Sequence, residues 1–265
     1  MKKLLLITSI GLLLGSNIFG LTKDQKKLLK LLQGTEEDYR TEEKYKKIEK
    51  LVKKIKNLDF KDEEGNTPLH YAIQKGSYRS LHSAGYQLQF GRVKNMGYLK
   101  VFKLIAENSK NLNEKNNDGL TPIGNLIEKI YEFKRANENQ IAAILYLLKK
   151  DEKLEKSILC LRIIRPQIVM LLLAAKIIGI KLSKELYDYL ERTVKFIGIE
   201  KPIKDLAKND IDKIKVNAQV EGGSDTFKLK NILDIYEELK KIKVYKKPKY
   251  KEKDFKERIE FLLQQ

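Results

Sequence analysis

From residue 22 onward, apolar residues return every three or four positions with polar and charged residues between them, the pattern of helices that bury one face. Leu28, Leu29, Leu31 and Leu32 mark a first short helix ended by Gly34, and Ile48, Leu51, Val52 and Ile55 mark the next. Further helices are predicted over 99–108, 123–133, 141–148, 154–164, 168–178, 186–196, 232–242 and 255–263. Many helices of modest length joined by short polar connectors suit stacked helix pairs better than a sheet-based fold, so the expected class is all-α.

Ahead of this pattern, Met1-Lys2-Lys3 leads into "LLLITSIGLLLGSNIFG", a short basic region followed by an apolar run with small residues near its end. That is the form of a secretory signal, with cleavage expected after Gly20 or, as the next choice, Ser16. An uncleaved N-terminal anchor is the alternative reading, although the run falls short of the ~20 residues that a span prefers. No Cys follows it to support a lipid anchor. The expected location is therefore outside the cytoplasm, either periplasmic or secreted.

Two stretches repeat one another. Residues 63–72 read "EEGNTPLHYA" and residues 117–126 read "NDGLTPIGNL", with Thr67 and Thr121 54 positions apart. Each follows an amphipathic helix and a polar turn, and each opens another helix. Gly65 and Gly119 supply a backbone tolerant of positive φ at the end of a turn. Pro68 and Pro122 suit a first helical position, where a missing N–H costs nothing. Thr67 and Thr121 stand where an N-cap hydroxyl accepts an orphan N–H. Leu69, Ala72 and Ile73, with Ile123, Leu126 and Ile127 in the second copy, then face the neighbouring unit. A single unit of this kind cannot bury both its faces and must stack.

The order helix, turn, Gly-x-Thr-Pro-Leu-His-x-Ala, helix resembles the ankyrin repeat, whose period is ~33 residues. Taking "SYRSLHSAGYQLQFGRVKNMG" at 77–97 as an insertion brings the 54-residue spacing back to that period. The resemblance implies an irregular ankyrin-type helical solenoid over residues 21–150. Residues 151–265 are then degenerate repeats or a helical C-terminal cap, with "VNAQVEGGSDTFKLKNIL" a faint further turn and helix entry. For His70 the resemblance implies a structural role, linking hydroxyl and backbone groups of adjacent units, against metal ligation or catalysis. Gly124 replaces this histidine in the second copy, which implies a looser link to whatever follows.

Candidate chemistry is sparse. Two histidines and one cysteine cannot supply the usual zinc or Cys–His arrangements, and "EGGSD" lacks the Lys-Ser/Thr of a phosphate loop. Acidic residues alternate with lysines on helix faces, the pattern of a solvated surface. Cys160 reads as a small buried residue. "ILCLRIIRPQIVMLLLAAKIIGI" is the most apolar segment, but Arg162, Arg165, Pro166 and Lys176 interrupt it, so a buried central helix is preferred to a span. No cofactor, metal or enzymatic activity is expected.

The expectation is instead a protein-binding module. By the resemblance, its contacts lie on the hairpin tips, Asp62, Glu63 and Glu64 with Asn116, Asn117 and Asp118, and on the concave face of the inner helices. The insertion adds Tyr78, Arg79, Tyr86, Phe90 and Arg92, a composition favoured at interfaces; the alternative is that these aromatics pack back onto their own helices. The formal charge of +18 supports a second reading. The Lys-rich C-terminal stretch with Tyr245, Tyr250 and Phe255 could hold an anionic lipid, an envelope glycan or an acidic protein, or be a solvated cap. Export disfavours nucleic acid as the target.

Overall fold

The computed structural model describes residues 20–34, 41–74, 96–133, 137–151, 166–195, 199–200, 202–206, 208–220 and 223–247. The proposed signal, the aromatic and arginine residues of the insertion (Tyr78, Arg79, Tyr86, Phe90, Arg92), Cys160, Tyr250 and Phe255 lie outside them.

Local chemistry sets the helix starts. Helix α1 (Lys23–Gln33) opens with a capping box, in which the Thr22 hydroxyl accepts from the Gln25 N–H and the Gln25 side chain accepts from the Thr22 N–H. The Thr41 hydroxyl caps α2 (Glu42–Lys54), which carries Glu42 and Glu43 in its first turn and Lys53 and Lys54 in its last, as a helix dipole favours. Helices α3 (Pro68–Gln74) and α5 (Pro122–Phe133) both begin at their proline, as the motif predicts. Between them lies α4 (Met96–Asn108), and after them α6 (Glu138–Lys150), which opens with a capping box made by Asn137 and Gln140.

These helices pack in sequence order. Helix α1 sits on α2 and α3, α2 packs on α4, and α3 packs on both α4 and α5; α6 then closes against α3 and α4. Leu28, Leu32, Ile48, Val52, Leu69, Ile73, Phe102, Ile105, Ile123 and Ile144 are buried in one continuous apolar core.

From Pro166 the described chain is helical again, and α7 (Pro166–Ile177) is the centre of this part. Ile168 to Ala175 are each 1 % exposed or less, so this helix is enclosed on all sides by protein, as expected of a buried central helix. Among the described residues no helix is long and apolar enough to cross a membrane. Gly179, at φ 74°, ends α7 and lets the Ile180 N–H reach back to the Ala175 carbonyl at 2.9 Å. Helix α8 (Lys184–Val194), a 3-10 turn (Ile203–Asp205) and the short α9 (Lys208–Ile211) follow.

The class is all-α, as periodicity predicts, with one addition. Strands β1 (Lys215–Val220) and β2 (Gly223–Lys228) pair antiparallel, from Lys215 opposite Lys228 to Val220 opposite Gly223. This hairpin leads directly into α10 (Leu229–Lys241). Lys228 gives α10 no side-chain cap. The Glu138 carboxylate of α6 instead holds the helix entry, accepting from the Lys228 N–H at 3.0 Å and from the Asn231 side-chain amide at 3.1 Å.

The path of α10 differs from a series that simply grows at its end. It turns back to lie along α6, touching α7 and α4 as well. Residues 242–247 then cross the C-terminal ends of α4 and α2 as a strap. Asn108 donates to the Tyr245 carbonyl and accepts from the Lys247 N–H, both at 2.8 Å, and the Lys247 ammonium donates to the Ile55 carbonyl.

Candidate functional site

The two repeated turns have the same internal wiring. In the first, the Asp62 N–H donates to the Asn66 carbonyl (3.1 Å), the Gly65 N–H to the Asp62 carbonyl (3.0 Å), and the Asn66 N–H to the Asp62 carboxylate (2.8 Å). In the second, Asn116 replaces Asp62. Its N–H donates to the Leu120 carbonyl (2.9 Å), the Gly119 N–H reaches the Asn116 carbonyl (3.0 Å), and the Leu120 N–H reaches the Asn116 side-chain oxygen (2.9 Å). Gly65 and Gly119 have φ of 77° and 76°, the left-handed backbone that this turn needs.

The turns are also stacked on one another. Asn117 donates its N–H to the Glu64 carbonyl at 3.0 Å and its side-chain amide to the Glu63 carbonyl at 2.8 Å. Asn116 donates to the Asn66 side chain at 3.1 Å, and Lys61 reaches both the Lys115 carbonyl and the Glu114 carboxylate at 2.7 Å. The approach is so close that a Cβ on Gly65 would stand 2.4 Å from Asn117 Oδ1, whereas one on Gly119 would meet nothing within 4 Å.

His70 is the buried link between them. Its Nδ1 accepts the Thr67 N–H at 3.1 Å and lies 2.9 Å from the Thr67 hydroxyl, while Nε2 lies 3.0 Å from the Leu120 carbonyl. A carbonyl only accepts, so the proton is on Nε2 and the ring is neutral. Burial pushes its pKa below the ordinary histidine value. The ring thus joins the N–H and hydroxyl of its own turn to a backbone carbonyl of the other turn, whereas the resemblance placed the hydroxyl in an adjacent unit.

The threonines divide their work differently from the expectation that both act as N-caps. Thr121, with Gly124 where a histidine stands in the first copy, accepts the Gly124 N–H at 3.1 Å as an N-cap does. The Thr67 hydroxyl is instead drawn to the His70 ring, the nearer polar partner in a buried pocket. Leu69 and Ala72 are both buried against the core.

The six proposed tip residues fall into two groups. Asp62 and Asn116 build the turns from inside: Asn116 is 8 % exposed, and Asp62 accepts the Tyr71 hydroxyl as well as the Asn66 N–H. Glu63, Glu64, Asn117 and Asp118 are exposed, but the Asn117 amide is committed to the Glu63 carbonyl. Glu63, Glu64 and Asp118 are thus exposed acidic residues on two turns that main-chain hydrogen bonds hold together.

A second organised polar cluster lies where α4, α6 and the strap meet, and it was missed by sequence reasoning. Glu107, whose side chain is 6 % exposed, accepts from Lys150 at 2.9 Å, from Lys246 at 2.7 Å, and from the Tyr146 hydroxyl. Burial favours its neutral form, but the hydrogen bonds from Lys246, Tyr146 and Lys150 outweigh that and hold the carboxyl at about 2. Beside it the buried Lys103 donates at 2.8 Å to the Leu239 and Lys240 carbonyls, closing the C-terminal end of α10. In sequence Glu107 is one acidic residue among many; only the fold brings its partners together, from 39 and 139 positions away.

Several lysines in the first part of the basic C-terminal stretch are paired within the fold. Lys240 pairs with Glu237, Lys241 with Glu238 and Lys246 with Glu107. Tyr245 is half-buried with the Lys53 ammonium over its ring at 5.1 Å, so it is packed rather than presented for stacking on a ligand. Among the described residues no group of three His, Cys, Asp or Glu is placed to hold a metal ion. The chain matches no family model, no curated protein and no solved structure.

Proposed function

We propose that this chain is an irregular ankyrin-type stack, exported from the cytoplasm, that binds another protein through the tips of its paired turns. The reading is supported chiefly by those turns, which share one hydrogen-bonding scheme and lie on one another with Glu63, Glu64 and Asp118 directed to solvent. Main-chain groups at the tips are spent on the stack, so recognition falls to these three carboxylates and to side chains of the 77–97 insertion. Rigid presentation lowers the entropy lost on binding. The role is one of binding rather than catalysis, because the buried polar groups around His70 are engaged in joining the turns.

The partner that fits these three exposed carboxylates carries a basic patch. The test compares the chain from residue 21 onward with its E63K/E64K/D118K variant as bait in an envelope extract. A partner retained by the first and lost with the second, while thermal unfolding is unchanged, supports the proposal. Equal retention by both places recognition elsewhere.

A further inference from the structure

A groove of about 530 Å³ opens where the C-terminal ends of α6, α7 and α10 meet, and it shares no residue with the paired turns. Its size is that of a small-molecule site. The floor is apolar. Ile177, Ile178 and Leu233 line it while only partly buried, and Tyr236, 4 % exposed, lines it with them.

The rim is cationic: Lys149, Lys150 and Lys240 surround the floor, against a single acidic group, Glu237. Lysines in a last helical turn commonly answer the helix dipole. Here they also line a groove whose apolar side chains are only partly buried among the described residues. Lys150 is committed to Glu107, but Lys149 only touches the Gly179 carbonyl at 3.3 Å in an exposed contact, and Lys240 holds the exposed Glu237. Two ammonium groups can thus swing to a ligand without uncovering a buried charge.

We propose that this groove binds a single-chain anionic amphiphile, a free long-chain carboxylate, with its head at Lys149 and Lys240 and its chain along Ile177, Ile178 and Leu233. Charge complementarity selects the anionic head. The floor selects the chain, because aliphatic side chains and a ring face offer no partner to the amides of a bound peptide, which are costly to bury unpaired. An acyl chain has no such groups and covers the exposed apolar surface.

Calorimetric titration of the full chain with laurate, below its micelle concentration, tests this. One laurate is expected per chain, with dodecyltrimethylammonium and dodecyl maltoside, of equal chain length, binding far more weakly. K149E/K240E is expected to weaken laurate about tenfold, the effect of losing two exposed ion pairs, and L233D to remove binding. K213E/K215E, which changes exposed lysines elsewhere, leaves it unchanged. Circular dichroism melts establish that each variant is folded. The proposal is overturned if the cationic or neutral amphiphile binds as well as laurate, if K149E/K240E binds like the parent, or if a leucine-bearing acidic peptide displaces laurate and binds more tightly.

Discussion

The His70 ring and the Leu120 carbonyl, 50 positions apart in the chain, meet in a single hydrogen bond of 3.0 Å across the two stacked turns. Because the other ring nitrogen is engaged by Thr67, one side chain serves both turns at once. His70→Ala leaves the Thr67 N–H and the Leu120 carbonyl without this partner in a buried site. A loss of about 2–4 kcal/mol is expected by urea unfolding. His70→Gln, able to reach one side only, is expected to lose less, and equal losses would argue that ring volume rather than hydrogen bonding matters.

The same ring gives the fold a pH dependence of definite sign. Its folded pKa lies below the ordinary histidine value because burial disfavours the charged form. Above the ordinary value, near pH 6.5, both states are neutral and the stability is fully present. As pH falls below it, the unfolded chain takes the proton first and stability declines until the folded pKa is passed. Melting temperatures measured from pH 7.5 to 5 should fall for the parent and stay flatter for His70→Gln.

Gly65 and Gly119 share one backbone conformation but not one environment, so alanine separates strain from contact. Gly119→Ala is expected to cost about 1 kcal/mol for an L-residue at positive φ. Gly65→Ala carries that cost and also drives a Cβ to 2.4 Å from Asn117 Oδ1, which forces the turns apart. Chemical denaturation should show it as the more damaging by about 1–3 kcal/mol. Comparable midpoints for the two variants would mean that the stacking is loose.

Glu107→Gln removes the charge that Lys150 and Lys246 share while keeping the shape. Destabilisation of about 2–3 kcal/mol is expected, below the full buried-pair value because Lys246 is largely exposed. Its carboxyl is held at about 2, below the ordinary carboxylate value. Its contribution is therefore complete above about pH 4.5 and disappears as pH falls toward 2. An acid titration of stability should lose that limb in Glu107→Gln; an unaltered profile would remove Glu107 from the account.

Much of this fold was legible where chemistry is local. The helix starts at Pro68 and Pro122 and the positive φ at Gly65 and Gly119 follow from residues within a few positions of one another. The burial of Ile168 to Ala175 was legible too, since a continuous apolar run too short to span a membrane has to be covered by protein. What sequence could not disclose depends on meetings at long range. Glu107 and Lys246 look like any surface charges until α4 and the strap are brought together. Tyr245 read as an exposed aromatic because its cover, Lys53, comes from α2. The inward role of Asp62 and Asn116 was also hidden, since a turn-building Asx residue and an exposed tip residue have the same composition.

The strap has a consequence for how the chain comes to be folded. Stacked repeats ordinarily touch only their neighbours, so stability can build from one end as the polypeptide emerges. Here Lys247 grips the Ile55 carbonyl from 192 positions away, and Lys246 and Asn108 fasten the same stretch to α4. Helices α2 and α4, synthesised early, therefore wait for nearly the last described residues before their C-terminal ends are sealed. Contacts of such separation slow the final step of folding and join the strap to α2 and α4 in one cooperative transition.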